Sequence, residues 1–152
     1  MQIKYNYKYI IVGAFEYYGE TYSGGIMKLD EYGNYLPDFG DGFTDFGDLD
    51  EIEKQTDGKL ILGGYFFAYQ GYLTPGSIVR LNTDGSLDSV FGFGMSSTVN
   101  VVKVQPDDKI LVGGDFTTYQ NNRAKRIIML NNDGNVNLDF NTGYGFNRSV
   151  TS

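Results

Sequence analysis

KLILGGYFFAYQG at Lys59–Gly71 sets the reading of the whole chain, because the sequence contains it in three versions. The other two are KYIIVGAFEYYG at Lys8–Gly19 and KILVGGDFTTYQN at Lys109–Asn121. A second phrase follows each copy: IMKLDEYGNYLPDF at Ile26–Phe39, IVRLNTDGSLDSVF at Ile78–Phe91 and IIMLNNDGNVNLDF at Ile127–Phe140. Corresponding residues lie about 50 apart, a period that suits sheet-based repeats and exceeds most helical and leucine-rich ones.

The third copy is the clearest to resolve into strands. Thr98–Gln105 alternates apolar and polar residues, as a strand with one buried face does. Pro106-Asp107-Asp108 then turns the chain, as Thr56-Asp57-Gly58 does in the second copy. Lys109–Phe116 is nearly continuous in apolar residues and reads as a strand buried on both sides. Its Gly113-Gly114 pair admits close backbone approach or a bulge. Arg126–Leu130 is the third strand, Asn132-Asp133-Gly134 a hairpin turn, and Asn135–Phe140 a short fourth, outer strand.

Apolar runs recur at Ile10, Ile11 and Val12, at Leu60, Ile61 and Leu62, and at Ile110, Leu111 and Val112. No 3.6-residue amphipathic pattern accompanies them. The expectation is an all-β chain of three tandem four-stranded antiparallel blades of the β-propeller type, in one domain over residues 1–152. Each unit has an apolar face that it cannot bury alone, so the neighbouring unit must complete the core. A parallel β-helix would ordinarily repeat at about half this period.

The second copy resembles the bacterial β-propeller repeats of the delta-sixty type, whose units read approximately QxDGKIxxGGxF and then IxRLNxDGSLDxxF. Gln55–Phe66 (QTDGKLILGGYF) and Ile78–Phe91 (IVRLNTDGSLDSVF) carry the likeness. The first copy departs most, with Tyr5-Asn6-Tyr7 where the turn belongs and Glu31-Tyr32-Gly33 in place of Thr-Asp-Gly. The resemblance implies a propeller-like fold and no particular reaction. It also implies the setting of such repeats, which occur in surface and phage-associated proteins.

Composition narrows the function. Twelve Lys and Arg face 19 Asp and Glu, a formal charge of −7, which disfavours nonspecific affinity for nucleic-acid phosphates or anionic lipid. The compact basic group Arg123, Lys125 and Arg126 reads as a solvated loop. With neither cysteine nor histidine, the chain has no disulfide, thiolate nucleophile, histidine base or zinc site of the usual ligands. No cofactor is expected. The apolar run Tyr9–Phe15 is too short to span a bilayer, which takes about 20 residues, and it continues into the repeat; neither a signal peptide nor a membrane span is expected. The 21 glycines, 13 tyrosines and 11 phenylalanines suit short strands joined by tight turns.

Aligning the copies places Gly143–Val150 (GYGFNRSV) on Gly92–Val99 (GFGMSSTV), Ser152 at the level of Val101, and Met1 at the level of Val102. The repeat frame is thus cut within a blade, and each terminus falls in the first strand of a unit. Propellers typically close with 4–8 blades, so three units point to self-association. Head-to-tail pairing of two chains into a six-bladed ring is the preferred expectation, and an open array whose edges pair with another protein is the alternative.

Several groups invite chemical readings. Asn82–Asp88 and Asn131–Asp139 resemble calcium loops, but Asp-Gly between strands is a hairpin signal and the glutamate closing an EF-hand loop is missing. The acidic stretch Asp38–Glu53 holds Asp38, Asp41, Asp45, Asp48, Asp50, Glu51 and Glu53. It reads as a solvated loop, with Asp45 and Asp48 as candidates should the chain cleave glycans. Gly63-Gly64 and Gly113-Gly114 lack the lysine and helix of a phosphate loop. Tyr18, Tyr69 and Tyr119 align so regularly that packing explains them. Tyr17, Tyr22, Gln70, Tyr72, Gln120, Asn121 and Asn122 are the candidate surface residues for a ligand or partner.

The sequence therefore points to a non-enzymatic structural or binding module that acts by assembly and loop display. A phage virion or tail component, or a bacterial surface module, suits the resemblance; the virion, or the host cytoplasm before assembly, would be its place. A carbohydrate-binding propeller using the tyrosine-rich loops is the alternative, ahead of a glycan-cleaving enzyme.

Overall fold

A computed structural model describes residues 1–5, 8–39, 47–74 and 76–151. Strands β1 (Gln2–Tyr5), β2 (Lys8–Val12), a short hairpin β3 (Tyr17–Tyr18) and β4 (Thr21–Tyr22), and β5 (Ile26–Leu29) make the first unit. The second repeats the order with β6 (Asp48–Lys54), β7 (Leu60–Tyr65), β8 (Ala68–Tyr69), β9 (Tyr72–Leu73) and β10 (Ile78–Leu81). The third has β11 (Val99–Val104), β12 (Ile110–Gly114), β13 (Thr118–Tyr119), β14 (Asn122–Arg123) and β15 (Ile127–Leu130). Each unit is an antiparallel sheet of three strands, in the orders β1-β2-β5, β6-β7-β10 and β11-β12-β15, with its own two-stranded hairpin.

The fourth strand of each unit shrinks to one bridge: Leu29 with Tyr35, Leu81 with Leu87, Leu130 with Val136. The expected strand Asn135–Phe140 is therefore corrected to a single bridge and a turn. In the second and third units the cause is local hydrogen bonding, whereas the first has Leu36 and then Pro37, which has no N–H to give a ladder. The Asn137 side chain accepts the Asp139 N–H at 3.0 Å, and Asp88 accepts that of Val90 at 3.2 Å. Such Asx turns curl the chain before a ladder can extend.

Alternation along the strands sends successive residues to opposite neighbours. Leu60 and Leu62 of β7 join a core with Ile10, Val12 and Ile26 of the first unit, while Ile61 of the same strand joins a core with Val102, Ile110 and Val112 of the third. The middle sheet is thus apolar on both faces, and β7 is buried throughout from Leu60 to Gly64. Each fully buried Leu, Ile or Val contributes about 1.5–3 kcal/mol relative to exposure.

The glycine pairs make this stacking close. A Cβ at Gly63 would lie 2.6 Å from Val99 Cγ1 and 2.8 Å from Val102 Cγ2 of the next unit. At Gly113 it would meet Val150 Cγ1 at 2.7 Å and Val101 Cγ1 at 2.8 Å. The second glycine of each pair faces a bulge in the first strand. The register shifts between Leu49 and Glu51 opposite Gly64 and Gly63, and between Val99 and Val101 opposite Gly114 and Gly113. A side chain at Gly64 would strike the backbone carbonyl of Asp48, and one at Gly114 that of Thr98. Both readings of the pair, close approach and bulge, hold together.

Tyrosine fastens each hairpin to its own sheet. Tyr18 donates to the Gly33 carbonyl at 2.8 Å, Tyr69 to Gly85 at 2.5 Å and Tyr119 to Gly134 at 2.8 Å. Tyr69 and Tyr119 are fully buried, and burial, followed by the charge of Asp133, pushes the Tyr119 hydroxyl far above its ordinary pKa.

Replacing Gly63 with alanine leaves the backbone undisturbed but forces Val99 and Val102 outward. We expect Gly63→Ala to lower stability by about 2 kcal/mol in chemical denaturation, the cost of overpacking a filled core.

Candidate functional site

The strongest electrostatic feature lies where the second unit meets the third. Arg80 on β10 is buried, and its Nε donates to Asp88 Oδ2 at 2.9 Å. Its Nη1 reaches Gln55 Oε1 at 3.3 Å and the Asn132 carbonyl of the third unit. The guanidinium lies 4.7 Å from the centre of the Phe91 ring. Lys59 adds a second cation to Asp88 at 2.7 Å. Gln55 Nε2 and the Thr56 backbone and hydroxyl donate onward to Asp108 and Asn132. A polar cavity of about 410 Å3 opens beside these groups, lined also by Asp57 and Asp133.

Burial alone would raise the Asp88 carboxyl, but Lys59 and Arg80 outweigh it and hold the group below its ordinary value of 3.8. The corresponding stability is present above the unfolded pKa and is lost as the pH falls through the lower folded one. This network joins units; its carboxylates are spent on internal partners. The Asp-Gly turns behave likewise: Asp84 is engaged by Ser86 and Asp133 by Asn135, contacts that hold both carboxyls below the usual range.

The acidic stretch is not one loop. Asp48–Lys54 is strand β6, with Leu49, Glu51 and Ile52 buried. It is the first strand of the second unit and pairs with β7 as β11 pairs with β12. Burial, then the charge of Glu53, pushes the Glu51 carboxyl up. Asp41 and Asp45 lie outside the described residues, as do Asn6 and Tyr7 of the divergent first turn.

The candidate surface residues divide among the three hairpins. Tyr17 and Tyr22 face each other across β3 and β4, rings 5.6 Å apart in a T-shaped pair and both about half exposed. Gln70 occupies a turn position at φ 49°, beside the exposed Tyr72 of β9. Gln120 and Asn121 form the third turn at φ 47° and 65°, with Asn122 starting β14. Gln120 is engaged within the chain: its N–H donates to the Gly94 carbonyl at 3.1 Å, and its amide to the Tyr119 hydroxyl at 3.1 Å. The arrangement brings Tyr17 to Tyr22 and leaves the other two groups on their own units.

Two features escaped sequence reasoning. Tyr65 and Phe67 stand T-shaped at 5.0 Å, each about half exposed, over an open groove of about 460 Å3 lined by Ser77, Met95, Ser96 and Ser97. Tyr65 occupies the place of Asp115 in the third copy, so the repeat frame hid it. Tyr144 and Phe146 are 97% and 51% exposed in the segment after the third unit. Their places are those of Phe93 and Met95, and that correspondence was the available signal.

The family model described as a domain of unknown function (DUF5122) beta-propeller matches residues 55–91 and 105–140, within the second and third units. The match supports a β-propeller repeat family. Neither a curated protein nor a solved structure matches the chain.

Met129 and Asn137 of the third unit stand where the second has Arg80 and Asp88. Arg80→Met should therefore cost about 2 kcal/mol, by removing one of the two cations that bond the buried Asp88 carboxylate while Lys59 remains. Arg80→Met with Asp88→Asn should regain part of that loss and weaken the acid dependence of stability, as read from denaturation between pH 3 and 7.

Proposed function

We propose that the chain is a non-enzymatic β-propeller-repeat module that works by assembly. Its three units are all of the delta-sixty kind, each a blade whose fourth strand is reduced to a bridge, and another copy of the chain stacks on the terminal sheet. The observation that carries this reading is a difference in exposure between equivalent positions. On the second unit the face turned to its successor holds Glu51, Ile61, Ile78 and Arg80, all buried. The same face of the third holds Val101, Leu111, Ile127 and Met129, all partly exposed. Cross-strand pairing sets Leu111 beside Met129 and Gly113 beside Ile127 on that face.

Polar groups support the same reading. Gln55 bonds across to the turns of the following unit, whereas its counterpart Gln105 is half-buried and has no such successor among the described residues. At the opposite end of the stack Tyr9 and Ile11, in the places of Leu60 and Leu62, are partly exposed, while Met27 and Leu29 of the same face are already buried. Faces that differ at the two ends suit a heterologous, head-to-tail contact. A component of a virion or tail, or of a bacterial surface, fits a module whose task is to stack.

A second reading rests on the Tyr65–Phe67 groove. Its rings and serine hydroxyls, with no charged residue among the described lining residues, suit an uncharged saccharide that has an apolar face. Glycan binding lost on Tyr65→Ala would favour it.

Light scattering at micromolar concentration tests the assembly. We expect a mass of at least two chains, returning to 17.0 kDa with Leu111→Asp while the circular dichroism stays unchanged. A wild-type monomer at 100 μM would refute the reading.

A further inference from the structure

We infer that the segment Gly143–Phe146 is a docking strand for the hairpin β3–β4 of a second copy of this chain. The inference rests on the assembly reading and adds the contact that would fix its register. The chain contains a worked example of that contact. Between the second and third units, Met95 bridges Tyr119 of β13. Gln120 N donates to the Gly94 carbonyl, and Ser96 N to the Thr118 carbonyl, each at 3.1 Å. Ser96 Oγ accepts the N–H groups of Thr117 and Thr118 at 3.0 and 3.1 Å. So joined, Met95 is 4% exposed and Tyr119 fully buried.

The two ends of the chain carry the halves of this contact separately. Tyr18 stands in the place of Tyr119 and keeps the equivalent bond to its own turn, yet it is 45% exposed. Phe146 stands in the place of Met95 and is half exposed, and Tyr144, in the place of the partly buried Phe93, is almost wholly exposed.

The segment is tied to its own unit, with Gly143 at φ 57° and Tyr144 in a turn closed by Gly145 N on the Thr142 carbonyl at 2.8 Å, a turn that Gly92 and Phe93 do not make. Val150 is seated on Gly113 as Val99 is on Gly63. Phe146 N donates to the Lys125 carbonyl at 3.2 Å, and Lys125 Nζ to the Gly143 carbonyl at 2.6 Å. These ties lower the entropy that docking would cost.

Copying the internal register gives specific intermolecular pairs. Gly19 N would donate to the Gly145 carbonyl, and Asn147 N to that of Tyr17. Phe146 would lie against Tyr18. Gly19, in the place of Gln120, has nothing within 4 Å of where a Cβ would stand, so backbone approach is open. The partner is a second copy because one exposed half holds the places of Gly94–Ser96 and the other those of Thr118–Gln120 in the same repeat frame.

Cysteine pairing tests the register, since the chain has no cysteine of its own. Bridged residues in an antiparallel pair lie about 4.5–5.5 Å apart at Cα, within reach of a disulfide. Tyr17→Cys and Asn147→Cys proteins, which keep Tyr18 and Phe146 and alter the adjacent opposed pair, are mixed, oxidised and resolved without reductant, with Glu31→Cys plus Asn147→Cys as the control for chance collision.

We expect a disulfide-linked dimer in the Tyr17→Cys and Asn147→Cys mixture and none above control in either protein alone. We also expect Phe146→Ala to weaken association about tenfold or more, as loss of a buried anchor does, with the dichroism unchanged. Association of the wild type without that cross-link, or with equal cross-linking of each single variant to itself, would overturn the docking strand and leave the assembly reading standing. A wild-type chain that stays monomeric would overturn both.

Discussion

Val99 sits over Gly63 because nothing else fits there: the absent side chain is the hollow that lets one sheet lie on the next. The contact is repeated where Val150 rests over Gly113. A three-stranded sheet with an apolar residue at every position of its central strand has two faces to hide and can hide neither alone. The glycine pair solves both halves of the problem. Its first member admits the neighbour's valine, and its second admits the bulged carbonyl of its own first strand. Hairpins, turns and ion pairs are arranged around that contact.

Such an architecture has consequences at its ends. The middle unit has a partner on both sides, and its polar residues are matched across the junction: Gln55 and Arg80 to the turns of the third unit, and Lys103 to Glu53. Lys28 pairs with Asp38 at 3.2 Å and lies over Phe39, so the first junction uses the same kind of cation in a different pairing. The third unit has Met129 at that position, and its outer face is the least polar of the equivalent set. Substituting an apolar side chain for a buried cation favours a face that meets its partner after folding, since no charge must be desolvated.

Much of this was legible in the residues, and the failures have physical causes. The runs Leu60–Leu62 and Ile110–Val112, the glycine pairs and the Asp-Gly turns carry signals strong enough to place strands β7 and β12 and their turns. Hairpins such as Thr118–Tyr119 with Asn122–Arg123 are two residues per strand, too short for any periodicity to appear. The fourth strand of the second and third units is lost because Asp88 and Asn137 cap a turn, an effect of one side-chain bond against a backbone ladder. Asp48–Lys54 read as a charged loop because its acids mask the alternation of Leu49 and Ile52. For the candidate site, Tyr17 and Tyr22 are about half exposed, Gln120 is engaged within the chain, and the repeat pattern gives no warning that Tyr144 and Phe146 are exposed. Their exposure depends on what lies beside the chain, which residue types alone do not record.

Hydrogen exchange followed residue by residue, at a dilution where the chain is monomeric, tests the central claim most directly. If neighbouring sheets hold each other, amides of Leu60–Tyr65 and Ile78–Leu81, covered on both faces, should exchange slowest. Those of Lys8–Val12 and Ile110–Gly114, with one covered face, should exchange faster. Equal protection in all three sheets, or slowest exchange in a terminal one, would contradict the account.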